Sequence, residues 1–316
     1  MSVGVVGAGA FGGALAIAIG RARPVALWGR DGAAMEAARA SRTLARLPGA
    51  TLPEGVAVTA DPADLADCDT LLLAVPTQAL AATIAALPLA PRRAVAACKG
   101  VELGTLRGPT ALLQDRWPDA TAAILSGPSF AADIARALPT ALVLATSNEA
   151  EGAALQRLLA TPALRVYRST DVAGVELGGA LKNVVAIACG AAIGAGLGES
   201  ARAALMTRGM AETVRLATAL GARPETLMGL SGLGDLALTC ASPQSRNFAL
   251  GLALGRGEPL PGATAEGVPT AAAALDLGRR HGLDLPITAA VHALTTGRLG
   301  VAEAIDALLS RDLTHE

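Results

Sequence analysis

The first half of the chain alternates short apolar runs with stretches of helical composition. Ser2–Val6, Val25–Trp28, Val56–Thr59, Thr70–Val75, Ala94–Ala97, Ala122–Leu125 and Thr140–Ala145 read as strands. Several are unbroken Val/Leu/Ala runs rather than alternations of apolar and polar positions. Strands of that kind are covered on both faces, as in a parallel sheet. Between them, Asp31–Arg42 and Gln78–Ala86 carry helical composition. The βα repetition predicts a doubly wound sheet with right-handed crossovers. From about Thr170 the strand signal ends. Asp171–Gly196 and Ala201–Leu220 read as long helices, and shorter ones follow at Ser245–Leu254, Thr270–His281 and Ile287–Thr296. Gly221, Pro224, Pro243, Pro259, Pro261 and Pro286 separate them. Asp171 is placed to cap the first long helix.

The pattern therefore predicts an α/β domain over residues 1–168 and an all-helical domain over residues 169–316, with a ligand expected in the cleft between them. Composition agrees. Apolar residues make up 52% but aromatics only 2%, which suits helices and buried parallel strands better than an aromatic-rich sandwich. A net charge of −1 without a basic run argues against a nucleic-acid partner. Cys68, Cys98, Cys189 and Cys240 are widely spaced and form no CxxC pattern, so they read as free thiols in a reducing cytoplasm. The first strand begins at about Val3, which leaves no room for a secretory signal. The longest apolar candidate for a membrane span, Val184–Leu197, falls short of the roughly 20 residues needed and contains Gly190, Gly194 and Gly196. It reads as a buried helix. No metal site is expected, and homodimerisation is left open.

The segment Val3-Gly-Val-Val-Gly7-Ala8-Gly9-Ala10-Phe11-Gly12 runs from strand through G-x-G-x-x-G into an Ala-rich helix. Gly7 suits the tight turn, Gly9 a close backbone approach to a pyrophosphate, and Gly12 close helix–strand packing. The pyrophosphate sits at the positive end of the helix dipole. This context marks the sheet as Rossmann-like and the loop as a dinucleotide site. Arg30 follows the next strand, near where an acid would hold the ribose 2′-hydroxyl of NAD. A guanidinium there favours the 2′-phosphate of NADP, and Asp31 keeps NAD open.

The chain has only two lysines, Lys99 and Lys182. Lysine can be tuned to give up a proton and arginine cannot, so both are candidates for proton chemistry. Lys99 lies in Cys98-Lys99-Gly100. Lys182 lies in Glu176-Leu-Gly-Gly-Ala-Leu-Lys182-Asn183. Two further segments stand out, Ser126-Gly127-Pro128-Ser129-Phe130 and Gly232-Leu-Gly-Asp235-Leu-Ala-Leu-Thr239…Ser245-Arg246-Asn247. Together with the glycine loop, these segments resemble the NAD(P)-dependent glycerol-3-phosphate dehydrogenase family, in order and over essentially the whole chain.

The resemblance implies reversible hydride transfer between dihydroxyacetone phosphate and sn-glycerol 3-phosphate, supplying glycerol 3-phosphate for phospholipid synthesis. It implies Lys182 as the proton-transfer residue and Asp235 as the acid beside it. Lys99 matches a residue that binds substrate and cofactor. Gly127 and Ser129 match substrate-contacting positions, with Thr239 alongside Asp235, and Ala131 a cofactor contact. Ser245, Arg246 and Asn247 match the phosphate-binding group, with Arg246 also reaching cofactor. Glu266, in Ala265-Glu266-Gly267, matches a glutamate near the adenosine end of the cofactor, with Gly7, Gly9, Ala10, Phe11, Gly12 and Arg30 completing that set. The family usually has two valines before this glutamate; here Thr264-Ala265 stand there.

The residues themselves lead the same way. Reducing a ketone needs a hydride and a proton. His281, His292 and His315 all lie away from the motifs, so Lys182 is the best proton donor. Arg246 at a helix start suits a phosphate. Two other readings stay open. One is a related dehydrogenase acting on a β-hydroxy acid such as ketopantoate, whose carboxylate Arg246 would also suit. The other is a non-catalytic dinucleotide sensor, which gives no reason for Lys99, Lys182 and Asp235 together.

Overall fold

The computed structural model describes residues 2–260, 262 and 264–309, with side chains to residue 307. The chain divides into two compact units, Met1–Lys99 with Arg107–Glu176, and Gly100–Leu106 with Leu177–Glu316.

The first unit carries an eight-stranded sheet. Its strands are β1 (Val3–Val6), β2 (Val25–Trp28), β5 (Val56–Thr59), β6 (Thr70–Leu73), β7 (Arg93–Ala96), β8 (Thr121–Ser126), β9 (Thr140–Ala145) and β10 (Leu164–Ser169). Their order is β10-β9-β8-β7-β6-β1-β2-β5. A small hairpin, β3 (Thr43–Leu44) with β4 (Leu47–Thr51), stands apart. Along each central strand, successive side chains enter different cores. Val3, Val5, Leu72 and Val95 share one with Leu15 and Ile17 of α1 (Ala10–Gly20). Val6, Leu71, Leu73, Ala94 and Ala96 share the other with Leu80 of α3 (Thr77–Ala85) and Leu113 of α4 (Pro109–Arg116). Both faces are dry, which is why these strands are continuous apolar runs.

Two features depart from the sequence expectation. The β8–β9 pair is antiparallel, so β9 and β10 run against the rest of the sheet. The link between β8 and β9 carries only the five-residue α5 (Ala131–Ala135), which packs against α1, so the chain re-enters the sheet without a full crossover. The edge strand β10 was not anticipated. Its Leu164-Arg165-Val166-Tyr167 alternates buried and exposed positions, and so lacks the continuous run that marks the central strands. Two further helices, α2 (Gly32–Ser41) and α6 (Glu149–Leu159), complete this unit.

The second unit is helical. Its elements are α7 (Val172–Gly194, which begins in the first unit), α8 (Gly198–Ala219), α9 (Pro224–Leu227), α10 (Asp235–Cys240), α11 (Arg246–Arg256), α12 (Gly267–Arg280), α13 (Pro286–Thr295) and α14 (Val301–Leu309). Asp171 caps α7 by accepting from Gly174 N at 2.9 Å. At 23 residues α7 is long and apolar enough to cross a membrane, so the length argument made from sequence does not hold. Burial decides the matter instead: 89% of its most apolar window lies inside the protein. Nor do the glycines interrupt it. A side chain at Gly190 or Gly194 would strike the backbone of α11, and one at Gly251 or Gly255 of α11 would strike α7. These glycines let two helix backbones touch. Val184 and Ile187 of α7 share a core with Leu250 of α11, Ala271 of α12 and Val291 of α13.

Candidate active site

In the first unit, the chain order reverses between β1 and β6, and ligand sites of open α/β sheets lie beyond the carboxyl ends of the strands at such a point. The glycine loop is there. Gly7 has φ +111°, and a side chain would meet the Ala74 carbonyl that follows β6. Its N–H donates to Trp28 O at 2.9 Å, tying the turn to the end of β2. A side chain at Gly12 would run into the Gly7 carbonyl. Gly9 is different. Nothing lies within 4 Å of the position its β-carbon would take, and it leads into α1 with no side chain capping the helix. The first N–H groups of α1 have no intrahelical acceptor. Half-buried Ala10 and Phe11 follow in that first turn. The open side of Gly9, above a bare helix N-terminus, fits a dinucleotide pyrophosphate.

Arg30 and Asp31 follow β2 and are exposed. Asp31 Oδ1 accepts from Ala34 N at 3.0 Å and caps α2. Arg30 and the second oxygen of Asp31 are thus both at the position where a ribose substituent is read.

The structure brings Lys99, Gly127 and Ser129 together beyond β7 and β8. Lys99 Nζ donates to Gly127 O at 3.1 Å, and Ser129 Oγ donates to the same oxygen at 3.2 Å. Gly127 has φ +138°, and a side chain there would press on the backbone of Ala141 and Leu142. The glycine thus turns its carbonyl toward the half-buried ammonium. Ala131 opens α5 and packs on the same core as Ala10 and Phe11. Glu176, within the motif that leads to Lys182, accepts from Thr110 N and Thr110 Oγ1, both at 2.9 Å. Burial pushes its carboxyl above the usual carboxylate range, against those bonds.

The second unit holds a different cluster. Lys182 is 7% exposed and Asp235 0%. Lys182 Nζ donates to Asp235 Oδ1 in a short ion pair and to Thr239 Oγ1 at 2.7 Å. Asp235 and Thr239 lie one turn apart on α10, so one face of a short helix presents both to the ammonium. Cys240, the next residue, is pushed up by a hydrogen bond with Cys189 of α7 and by burial, and stays a neutral thiol. All four cysteines are free and buried.

Ser245 caps α11, its Oγ accepting from Phe248 N at 3.2 Å. Arg246 is the first residue of that helix and is exposed. Asn247 is 8% exposed and faces inward. Its Nδ2 donates to Asn183 Oδ1 at 2.9 Å, and its Oδ1 accepts from Gly267 N at 2.9 Å. The amide therefore joins α7, α11 and the start of α12, next to Glu266. Asn183 was not among the candidate residues, although its place beside Lys182 was a signal. Glu212 of α8 is a further buried acid that sequence did not single out. It accepts from Ile287 N and Thr288 N, caps α13, and is pushed up by burial. His281 is exposed and His292 half-buried, with burial lowering the latter. His315 lies outside the described residues.

The motif residues thus form clusters within each unit, and comparison with known proteins gives the family. A family model for the NAD-dependent glycerol-3-phosphate dehydrogenase N-terminus matches residues 2–152, and one for the C-terminus of the same family matches residues 171–306. The chain belongs to this dehydrogenase family. It is 58% identical over 317 residues to a glycerol-3-phosphate dehydrogenase (NAD(P)+) of Cereibacter sphaeroides, covering 99% of this chain and 100% of the relative. It is 56% identical to the protein of the same name from a Ruegeria species, covering 100% of both. A crystal structure of glycerol-3-phosphate dehydrogenase from Coxiella burnetii superposes with a TM-score of 0.93 at 36% identity, covering 98% of this chain and 99% of that one. Within this family, the doubly wound sheet and the helical C-terminal part are the expected architecture.

Proposed function

We propose that this chain interconverts dihydroxyacetone phosphate and sn-glycerol 3-phosphate with NAD(P)(H), and that Lys182 carries the proton. The observation behind this reading is the buried Lys182–Asp235–Thr239 cluster in a chain whose full-length relatives bear that activity in their names. In ketone reduction the bound nicotinamide supplies the hydride. Lys182 donates the proton to the carbonyl oxygen as charge develops there. The Asp235 carboxylate keeps the ammonium ionised and aimed, and Thr239 Oγ1 fixes it from a second direction.

Arg246 and the N–H groups at the start of α11 suit the substrate phosphate, with Ser245 and Asn247 holding that helix end in place. Lys99, anchored by the Gly127 carbonyl, offers a second ammonium for the substrate or cofactor, beside Ser129. The glycine loop, with Ala131 behind it, takes the pyrophosphate. Arg30 takes a 2′-phosphate and favours NADPH, because its guanidinium fork suits a phosphate. We assign Glu266 to the adenosine side. The free, buried cysteines accord with a cytoplasmic enzyme, and the product would feed phospholipid synthesis.

A substrate panel tests the reading. NADPH consumption is followed with dihydroxyacetone phosphate, unphosphorylated dihydroxyacetone and ketopantoate. Turnover is expected with the phosphorylated ketone and far less with the other two. Preference for ketopantoate would reassign the chain to a β-hydroxy-acid reductase. Tight NADPH binding without turnover of any ketone would favour a sensor.

A further inference from the structure

Lys182 and Asp235 are 53 positions apart, and one close backbone approach sits a single turn before both. Gly178 precedes Lys182 by four residues on the same face of α7. A β-carbon there would lie 3.0 Å from the Ser231 carbonyl oxygen and 3.1 Å from Gly232 Cα. Both atoms belong to the π-turn Leu230–Gly234, which runs directly into Asp235. On its other side, a side chain at Gly232 would run into the Leu227 carbonyl at the end of α9. The turn is thus pinned between α7 and α9 through backbone atoms. Its one buried hydroxyl, Ser231 Oγ, makes no hydrogen bond and cannot be what anchors it.

We infer that Gly178 and Gly232 are positioning residues, whose contact sets how closely the Asp235 carboxylate approaches the Lys182 ammonium. The inference rests on the proposed role of Lys182. A wide π-turn directs the side chain that follows it, and such turns recur at functional sites. The fit at Gly178 sets the depth. An alanine there forces the turn to retreat by a few tenths of an ångström, because the atoms in its way are backbone. Close-packed interiors pass such shifts on. The charge-assisted bond to Asp235 lies one turn further along both elements.

The consequence is a changed proton affinity. Asp235 is the carboxylate that faces the ammonium from α10. Cys240 of the same helix, hydrogen-bonded to Cys189 of α7, is held neutral. Arg202 of α8, which reaches the Cys240 carbonyl at 3.5 Å, opposes a second positive charge. An ammonium that loses part of its carboxylate partner gives up its proton at lower pH.

Gly178→Ala tests this by two measurements. With lysine-selective isotope labelling the chain gives only two lysine signals, separated by Lys99→Arg, so the Lys182 titration is read directly. The pH profile of kcat for ketone reduction is the second measurement. Gly178→Ala is expected to move both the titration and the alkaline limb down by about 0.5–1 pH unit. It should lower kcat on the alkaline side of the profile by up to about tenfold, leave it nearly unchanged near neutrality, and leave KM for dihydroxyacetone phosphate unchanged. Asp235→Glu added to Gly178→Ala should restore part of the shift, because the longer side chain reaches across the gap.

Gly209→Ala, on α8, presses on the Val185 side chain of α7 and serves as the control for general loosening; it should lower Tm and leave the titration in place. Leu227→Ala removes the buried side chain that seats α9 behind the turn. It should act in the same direction as Gly178→Ala, and it decides the question if alanine at 178 prevents folding. A titration unmoved in both Gly178→Ala and Leu227→Ala, or moved equally by Gly209→Ala, overturns the inference while leaving Lys182 as proton donor. An active Lys182→Arg enzyme whose profile lacks the limb overturns both.

Discussion

The two units present chemistry in opposite ways. In the first, the features proposed for binding are mostly backbone: the turned carbonyl of Gly127, the bare start of α1, and glycines at which a side chain would strike a neighbour. In the second, they are side chains on helices: Lys182, Asp235, Thr239 and Arg246. Backbone donors are fixed as soon as the sheet forms and need no tuning, which suits a pyrophosphate common to many reactions. A proton donor must be desolvated and paired, which takes side chains brought from separate helices into a dry site.

The sharpest break of this comparison is at Lys182. Lys182→Arg keeps the charge and cannot release the proton. Its kcat should fall by about two to four orders of magnitude, and Lys182→Ala should fall at least as far. Near-normal kcat in the arginine variant would move the proton transfer elsewhere. Next comes Arg246. Its loss should lower kcat/KM at least about a hundredfold, the effect expected of the proposed bidentate grip on the phosphate. Part of the loss should appear in kcat, because binding of the non-reacting phosphate orients the carbonyl. Phosphite added to unphosphorylated dihydroxyacetone should activate the wild type and do so much less in Arg246→Ala; equal activation would point to another anchor, with Lys99 the first suspect.

The smallest effect belongs to Arg30, the side chain proposed to read the 2′-phosphate. Arg30→Ala should shift preference away from NADPH by roughly 10- to 150-fold, seen as a rise in KM for NADPH with little change for NADH. A similar rise for both cofactors would mean that Arg30 does not read the 2′-phosphate.

The central strands were legible because both their faces are buried, leaving runs such as Thr70-Leu-Leu-Leu73 with no other easy reading. The edge strand β10 was not, because half its side chains face solvent. Nor was the direction of β9, since a short link with one small helix says nothing about which end of the sheet it re-enters. The motif segments were legible one by one. The bond from Asn247 to Asn183, the squeeze on the π-turn at Gly178 and the capping of α13 by Glu212 were not, because each joins residues more than 50 positions apart.

The sequence by itself therefore determined the layered α/β plan, the helical second half, the dinucleotide loop and the residue types able to move a proton or hold an anion. Those follow from local periodicity and local chemistry, which a linear chain records. Only the tertiary structure decided that Asp31 caps a helix, that Gly190 and Gly194 seat α7 against the backbone of α11, and that Asn247 joins α7 to the start of α12. Burial and ion pairing arise between segments distant in sequence, and they exist once those segments have packed.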